Sequence, residues 1–239
     1  MSDYKITIDE LRSQFDGDVE RFSNEQTGQT SSVDATLVLS MFEEFIARMY
    51  PKAQRLLDIG CGAGNFSLRI TRKLPQLKLT LLDLSLPMLQ KAQERLAAEH
   101  FNVEEIIQAD IAQTELPENK FDIVVAAASL HHLRTRKDWQ NVFGRIYRSI
   151  VAGGSFWISD LIKHENETIE SLQKERYAEY LCNMRDQSYQ QHVFEYIDRS
   201  DTPETLPFLI RTLEESGFRQ VDIIHKNIVF AAITAVKPF

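Results

Sequence analysis

A glycine-rich stretch carries the strongest chemical signal in this sequence. Gly60, Gly62 and Gly64 follow directly on a short apolar run that contains Asp58. A glycine turn between a strand and a helix lets a ligand approach the backbone closely, and the first turn of the helix offers unpaired N–H groups to an anion. The pattern therefore predicts a binding site for a small molecule with a negatively charged end.

Acidic residues stand at the ends of the next two apolar runs. Asp83 lies 23 residues beyond Gly60, and Asp110 has the equivalent place one run later. A carboxylate at the first position can accept hydrogen bonds from both hydroxyls of a ribose. These residues and the glycine turn predict a nucleoside site at the carboxyl edge of a parallel sheet. The dinucleotide fingerprint requires a third small residue where Asn65 stands, which weighs against NAD.

The composition limits the classes of protein that fit. The chain has 239 residues, of which 43% are hydrophobic and 26% charged, as is typical of a globular protein that buries its own core. Its net charge of −8 argues against nucleic acid as the main partner, since phosphate binding needs clustered Lys and Arg. No apolar run reaches the ~20 residues of a membrane span, and the first residues lack the layout of a signal peptide. We therefore expect a cytoplasmic protein.

The cysteines and histidines show no spacing typical of a disulfide framework or a structural metal site. Cys61 and Cys182 are the only cysteines, and the sequence has no CxxC pair. We therefore expect two free thiols and no bound metal. Cys61, inside the glycine turn, suits packing beside a ligand better than nucleophilic attack.

From residue 55 onward, short apolar runs alternate with amphipathic stretches, a pattern typical of βαβ units and a parallel sheet. Only three residues join the last two runs, so they predict an antiparallel hairpin. The predicted strands cover 55–59, 77–82, 103–108, 121–126, 155–161, 219–224 and 228–236. The predicted helices between them cover 65–74, 85–98, 137–150 and 203–215. We expect Gly153 and Gly154 to end the third of these helices and Thr202 to cap the fourth.

Two segments fall outside this alternation. Thr7 and Glu10 form a capping-box pattern that predicts a short helix through Phe15. Residues 16–32 have the composition of a loop or mobile lid. Apolar residues at helical spacing then predict a further helix that ends at residue 50. Residues 163–200 are too long for a simple connection and predict a helical pair.

Both segments are expected to belong to one domain that spans residues 1–239. In this interpretation, residues 1–50 form a lid, and residues 163–200 are an insert that walls the site and selects the acceptor. The aromatic residues of the insert suit an oligomer interface equally well, so a homodimer stays open.

Short motifs follow one another in a regular order between residues 55 and 161. They are Asp58-Ile59-Gly60-Cys61-Gly62-Ala63-Gly64, Leu82-Asp83-Leu84-Ser85 with Met88-Leu89, Ala109-Asp110-Ile111, Phe121-Asp122-Ile123-Val124-Val125 and Ser129-Leu130-His131-His132-Leu133. In this order they resemble the motifs of class I S-adenosylmethionine-dependent methyltransferases. The resemblance implies an α/β, Rossmann-like, seven-stranded and mostly parallel sheet with an antiparallel last strand, helices on both faces and the helical insert after strand five.

The resemblance also implies an activity and a set of binding residues. The activity is transfer of a methyl group from the cofactor S-adenosyl-L-methionine to a small-molecule acceptor. The implied cofactor contacts are Gly60, Cys61 and Gly62 with the methionine part, Asp83 with the ribose hydroxyls, Leu84 and Met88 with adenine, Asp110 and Ile111 with the adenine edge, and Ala127 with the sulfonium end. Asp58 completes the set.

No catalytic residue is assigned, but three residues are candidates. His131 and His132 could act as a general base or as metal ligands, although adjacent side chains are expected to point in different directions and no third ligand lies near them in sequence. Asp160 ends the fifth strand, where it would serve as a base or as a helix cap. Methyl transfer from a sulfonium rests mainly on alignment and exclusion of water, so a base is needed only for an acceptor that must lose a proton.

Two other functions stay open. A related family member, carboxy-S-adenosylmethionine synthase, makes a carboxylated cofactor used in tRNA modification, but it has Ser where Gly62 stands and Asn where Ala127 stands. A non-catalytic S-adenosylmethionine-binding module would keep the fold and the cofactor and modify nothing.

Overall fold

The sheet has the arrangement that the sequence predicts. The computed structural model describes residues 5–24 and 30–239. Its strands are β1 (Arg55–Ile59), β2 (Lys78–Asp83), β3 (Asn102–Gln108), β4 (Phe121–Ala127), β5 (Ile150–Leu161), β6 (Arg219–Asn227) and β7 (Phe230–Val236). They lie in the order β3-β2-β1-β4-β5-β7-β6, with β7 antiparallel to both neighbours and every other pair parallel. The predicted α/β, Rossmann-like fold is therefore confirmed.

Helices cover both faces of this sheet. They are α1 (Ile8–Gly17), α2 (Val19–Ser23), α3 (Ala35–Met49), α4 (Asn65–Lys73), α5 (Leu86–Ala98), α6 (Arg136–Ser149), α7 (Glu167–Met184), α8 (Gln187–Ser200) and α9 (Leu206–Ser216), with a short 3₁₀ helix at Leu130–His132. Successive side chains of a strand point to opposite faces. Leu57 and Val124 accordingly pack with α6 and α9, and Leu56 and Ile123 pack with α3, α4 and α5. Within the described ranges, no helix is long and apolar enough to cross a membrane.

The end of α6 differs from the prediction. The helix ends at Ser149 and the chain passes directly into β5, so Gly153 and Gly154 lie inside the strand and do not end the helix. A Cβ on Gly154 would lie 2.6 Å from the carbonyl oxygen of Asp122. The glycine is therefore needed for the close approach of β4 and β5, which is a common reason for glycine within a strand.

The start of α9 also differs from the prediction. Thr205 caps this helix, because its side chain accepts a hydrogen bond from the N–H of Phe208 at 3.3 Å. Thr202 is occupied elsewhere, since its backbone N–H donates to the carbonyl oxygen of His131 at 2.7 Å. A tertiary contact that the local pattern does not contain thus moves the helix start by three residues.

The N-terminal segment is more helical than predicted. α1 begins with the predicted capping box of Thr7 and Glu10, but it runs to Gly17, and α2 follows almost at once. Residues 16–23 are therefore mainly helical where a loop was expected over 16–32, and residues 25–29 lie outside the described part of the chain. α3 falls within the segment assigned to a lid, yet Phe42 and Ile46 of this helix are fully buried against the sheet.

Residues 163–200 contain the predicted helical pair, α7 and α8. The ring of Tyr177 on α7 is buried and stacks on Phe194 of α8, with 5.7 Å between centroids. The hydroxyls of Tyr177 and Tyr180 donate to the carbonyl oxygens of Ser31 and Thr30 at 2.8 and 2.9 Å. The insert therefore holds the chain that leads into α3.

Candidate functional site

The glycine turn after β1 combines close packing with open space. Gly60 has φ +65°, and a Cβ there would lie 2.3 Å from the Cβ of Ser129, so the turn packs directly on the chain that follows β4. Gly62 has φ +50°, but a Cβ at this residue would meet no atom within 4 Å. The first glycine is therefore required by packing, whereas the second leaves the backbone accessible from the side.

A cavity of about 270 Å³ opens beside this turn at the carboxyl edge of the sheet, and we call it the strand-end cavity. The ends of β1, β2, β3 and β4 bring together all the residues predicted to bind a cofactor, and each of them lines the cavity: Asp58, Gly60, Cys61, Gly62, Asp83, Leu84, Met88, Asp110, Ile111 and Ala127. Residues of α1 and α2 that the sequence analysis missed line it too, namely Ile8, Leu11, Phe15 and Phe22. The apolar spacing within α1 was the signal that could have indicated them.

Asp83 is the most constrained carboxylate of this cavity. Its two oxygens accept hydrogen bonds from the backbone N–H groups of Ser85 and Gly62, each at 2.8 Å. Burial raises the pKa of Asp83, these backbone hydrogen bonds oppose the rise, and the charge of Asp16 adds to it. Asp16 belongs to α1 and itself accepts a hydrogen bond from the Ser85 hydroxyl at 2.5 Å. The end of β2, the glycine turn and α1 are therefore joined at this point.

Asp58 and Cys61 are two further buried residues at the turn. Asp58 is 2% exposed and accepts a hydrogen bond from the Ser67 hydroxyl at 2.7 Å. Burial raises the pKa of Asp58 to about 6 in spite of this hydrogen bond. Burial also raises the pKa of the Cys61 thiol well above its usual value, with the charges of Asp83 and Asp58 adding to the effect. Cys61 is thus a neutral packing residue at physiological pH and not an activated nucleophile.

The two histidines after β4 adopt an arrangement that the sequence did not predict. The rings of His131 and His132 lie 4.2 Å apart between centroids, and both contact the carboxylate of Asp201, which follows α8. The expectation that their side chains point in different directions is therefore wrong, whereas their shared partner, Asp201, is distant in sequence, as expected. His132 lines the strand-end cavity, whereas His131 and Asp160 do not.

Asp160 acts as a cap for the 3₁₀ helix. Its Oδ2 accepts hydrogen bonds from the backbone N–H groups of Leu130 and His131 at 2.9 and 3.2 Å, and its Oδ1 contacts Nδ1 of His131. Burial alone lowers the pKa of His131, but the carboxylates of Asp160 and Asp201 outweigh it and raise the pKa to about 9. Burial and the charge of His131 lower the pKa of His132.

Comparison with known sequences supports one family. Residues 56–154 match the family described as "Methyltransferase domain". The chain is 26% identical over 212 residues to the carboxy-S-adenosyl-L-methionine synthase of Helicobacter pylori, and the aligned region covers 84% of each protein. It is 35% identical over 102 residues to an uncharacterized methyltransferase of Mycobacterium bovis, and this aligned region covers 43% of this chain and 48% of that protein.

Comparison with solved structures gives the same fold. Phosphoethanolamine N-methyltransferase 2 of Haemonchus contortus, solved with S-adenosylhomocysteine, is similar with a TM-score of 0.68 and 19% identity. The similarity covers 98% of this chain and 61% of that one, so the chain spans less than two thirds of this neighbour.

The sheet order, the glycine turn and these similarities define a class I S-adenosylmethionine-dependent methyltransferase fold. Residues 56–154 match a methyltransferase domain, and sequence and fold together support a class I S-adenosylmethionine-dependent methyltransferase with S-adenosyl-L-methionine as its cofactor.

Proposed function

We propose that this enzyme transfers a methyl group from S-adenosyl-L-methionine to a small-molecule acceptor, and that the residues lining the strand-end cavity bind the cofactor. The observation that carries the proposal is the convergence of Asp58, Asp83 and Asp110 on one cavity, beside the open backbone at Gly62. Carboxylates at successive strand ends suit a ligand that presents hydroxyls and positive charge.

The nucleoside part of the cofactor fits the ends of β2 and β3. Asp83 would accept the ribose hydroxyls through the lone pairs that its two backbone hydrogen bonds leave free. Leu84 and Met88 offer apolar side chains to the faces of adenine, and Asp110 and Ile111 lie where its edge would be bound.

The methionine part fits the space beside the glycine turn. The carboxylate of this methionine part can accept hydrogen bonds from backbone N–H groups at the start of α4, where the helix dipole favours negative charge. Asp58, with a pKa of about 6, is ionised at neutral pH and complements the ammonium group. Ala127 leaves room for the sulfonium and its methyl group at the end of β4.

A small acceptor is supported by how the strand ends are covered. α1 and α2 line the strand-end cavity on one side, and the insert holds the segment that leads into α3. A second cavity adjoins Ala127 and is lined by Phe66, Asp160 and His225, and its volume of about 10 Å³ has room for no more than a water molecule. A strand-end cavity covered by α1 and α2 suits a small molecule better than the surface of a macromolecule.

Calorimetric titration of the full chain tests the cofactor site. Saturable heat is expected with S-adenosyl-L-methionine and S-adenosylhomocysteine and not with NAD, and tighter binding of NAD would overturn the assignment. Mass spectrometry of candidate small molecules incubated with enzyme and cofactor tests the reaction. The expected products are S-adenosylhomocysteine and an acceptor that has exchanged a hydrogen for a methyl group.

A carboxy-S-adenosylmethionine synthase activity is the second candidate, favoured by the similarity to the Helicobacter pylori enzyme over 84% of both chains. A carboxylate on the transferred carbon would need a cationic partner near Ala127. The described residues that line the smaller cavity there include no Lys or Arg, but Arg134 lines the strand-end cavity to which Ala127 also belongs, and it is the candidate for such a partner. The same mass spectra separate the two candidates when a carboxylic acid that can release carbon dioxide is added as donor. The synthase would then replace one hydrogen of the transferable methyl group by a carboxylate, with the proton lost to solvent, and give a heavier cofactor, whereas the methyltransferase would give S-adenosylhomocysteine.

A further inference from the structure

Three side chains with metal-binding atoms meet beside the strand-end cavity. His131 and His132 belong to the 3₁₀ helix, and Asp201 follows the last residue of α8. Oδ1 of Asp201 lies 3.1 Å from Nδ1 of His132 and 3.7 Å from Nε2 of His131, and all three atoms lie within 4.8 Å of one another. Ligand atoms about 2.0 to 2.2 Å from a tetrahedral zinc ion are about 3.3 Å apart. The cluster therefore has the dimensions of a metal site.

The Asp201 carboxylate gives an independent indication of a missing ligand. The residue is 4% exposed, and its Oδ1 lies beside the two imidazoles but receives no well-aligned hydrogen bond from the described part of the chain. A buried carboxylate oxygen without a donor costs free energy, so such atoms are normally satisfied by a partner. The two imidazoles around this oxygen make a cation the partner that fits.

Asp160 prepares His131 for this role. Its Oδ1 contacts Nδ1 of His131, and its Oδ2 is held by the backbone N–H groups of Leu130 and His131. A carboxylate that accepts the Nδ1 proton directs Nε2 toward a metal, and this pairing recurs around histidine ligands. Because the pKa of His131 is raised to about 9, a metal ion would bind Nε2 by displacing its proton. It is Nε2 of His131 that faces Asp201.

We propose that Nε2 of His131, Nδ1 of His132 and the carboxylate of Asp201 bind a divalent transition-metal ion such as Zn²⁺. Two imidazole nitrogens and one carboxylate oxygen suit first-row divalent metals and leave at least one coordination position for water or another ligand. The proposal replaces the expectation of no metal, which rested on spacing along the sequence alone.

The metal would connect the insert to the cofactor side of the molecule. His132 lines the strand-end cavity, whereas Asp201 lines a separate cavity of about 500 Å³ that also includes Tyr177 and Phe194 of the insert. A bound ion would fix the C-terminal end of α8 to the 3₁₀ helix and so define the wall between these two cavities. This role is independent of which acceptor the enzyme methylates.

Metal binding to the full chain, stripped with a chelator and dialysed, is the test. Zn²⁺ titration is expected to show one site per chain, and Co²⁺ is expected to give the visible absorption of a protein-bound ion. Asp201→Asn and His132→Gln should each weaken Zn²⁺ binding by roughly 100-fold and abolish the rise in melting temperature that Zn²⁺ gives the unsubstituted protein. His132 is partly exposed, so its variant tests the site even where Asp201→Asn unfolds the chain.

His225→Gln is the matched control. Nε2 of His225 pairs with Oδ2 of Asp34 at 2.9 Å and with none of the three proposed ligands, so this variant should bind Zn²⁺ as the unsubstituted protein does. Absence of one-to-one binding would overturn the proposal and leave the cluster as an ion-pair network. Zn²⁺ affinity in both site variants equal to that of the unsubstituted protein, or loss of binding only in His225→Gln, would overturn it as well.

Discussion

The backbone N–H of Gly62 donates a hydrogen bond to Oδ2 of Asp83 across 2.8 Å. This contact joins the glycine turn after β1 to the end of β2. Oδ1 of the same carboxylate accepts a hydrogen bond from the backbone N–H of Ser85 at the start of α5. Asp83 therefore shapes the turn in addition to its proposed role in binding ribose. Cofactor binding and the stability of the turn can therefore be measured separately in variants of Gly62 and Asp83.

Asp83→Ala is expected to weaken binding of S-adenosylhomocysteine more than tenfold. Charge-assisted hydrogen bonds to the ribose hydroxyls would be lost, at a cost of about 2 to 4 kcal/mol, and the turn would lose its anchor. Calorimetric titration measures the change, with Asp222→Ala on the edge strand β6 as a control that keeps full affinity. Unchanged affinity in Asp83→Ala would mean that the ribose is bound elsewhere.

Gly62→Val and Gly60→Ala are expected to differ in kind. At Gly62 a side chain would occupy the open space beside the turn, so binding should be abolished. The substituted residue must also adopt the positive φ of this position, which should lower the free energy of unfolding by only about 1 to 2 kcal/mol. At Gly60 the added carbon collides with Ser129, so the free energy of unfolding should fall further. Thermal melting and calorimetry on both variants check this. Normal cofactor binding by Gly62→Val would show that the turn has no role in the site.

Asp58 should make the protein less stable as pH rises. Its pKa is raised from 3.8 to about 6 by burial, so the folded state binds the proton more tightly than the unfolded state does. The free energy of unfolding therefore decreases from pH 4 to pH 6 and then levels off, by about 3 kcal/mol from this group.

Asp58→Asn carries no such titration and tests this expectation. Urea unfolding at several pH values between 4 and 7 should show a stability advantage of the variant that grows with pH and then becomes constant. A difference that is the same at every pH would contradict a raised pKa at this residue.

Hydrogen exchange should distinguish the N-terminal helices from the insert. α1 and α2 meet the body of the protein through few polar contacts, such as Ser85 with Asp16 and the Asn65 side chain with the Phe22 carbonyl, and they line the cavity. Their amides should gain protection when S-adenosylhomocysteine binds.

The core of the insert should behave differently. Leu181 is fully buried and Tyr177 is stacked on Phe194, so amides of α7 around them should be protected without ligand and at any protein concentration. Loss of that protection on dilution would favour an oligomer interface instead. Gain of protection only with ligand would make the insert the lid.

Local patterns in the sequence determined the sheet and the glycine turn. The alternation of apolar runs and amphipathic stretches is set by side-chain periods of two and 3.6 residues, which act over a few residues and survive in any context. The carboxyl ends of parallel strands share one edge, so the positions of the glycine turn, Asp83 and Asp110 were enough to predict that they lie together, and all of them line one cavity. The antiparallel hairpin followed from the short connection before β7.

Only the tertiary structure decided which residues from distant segments meet at that edge. Asp201 reaches His131 and His132 because the insert packs back on the sheet, and Thr202 is thereby drawn to the carbonyl of His131 and away from capping α9. The approach of α1 likewise brings Asp16 to Ser85. Such contacts depend on the packing of whole helices and the burial of unlike charges together, and neither leaves a periodic pattern in the sequence.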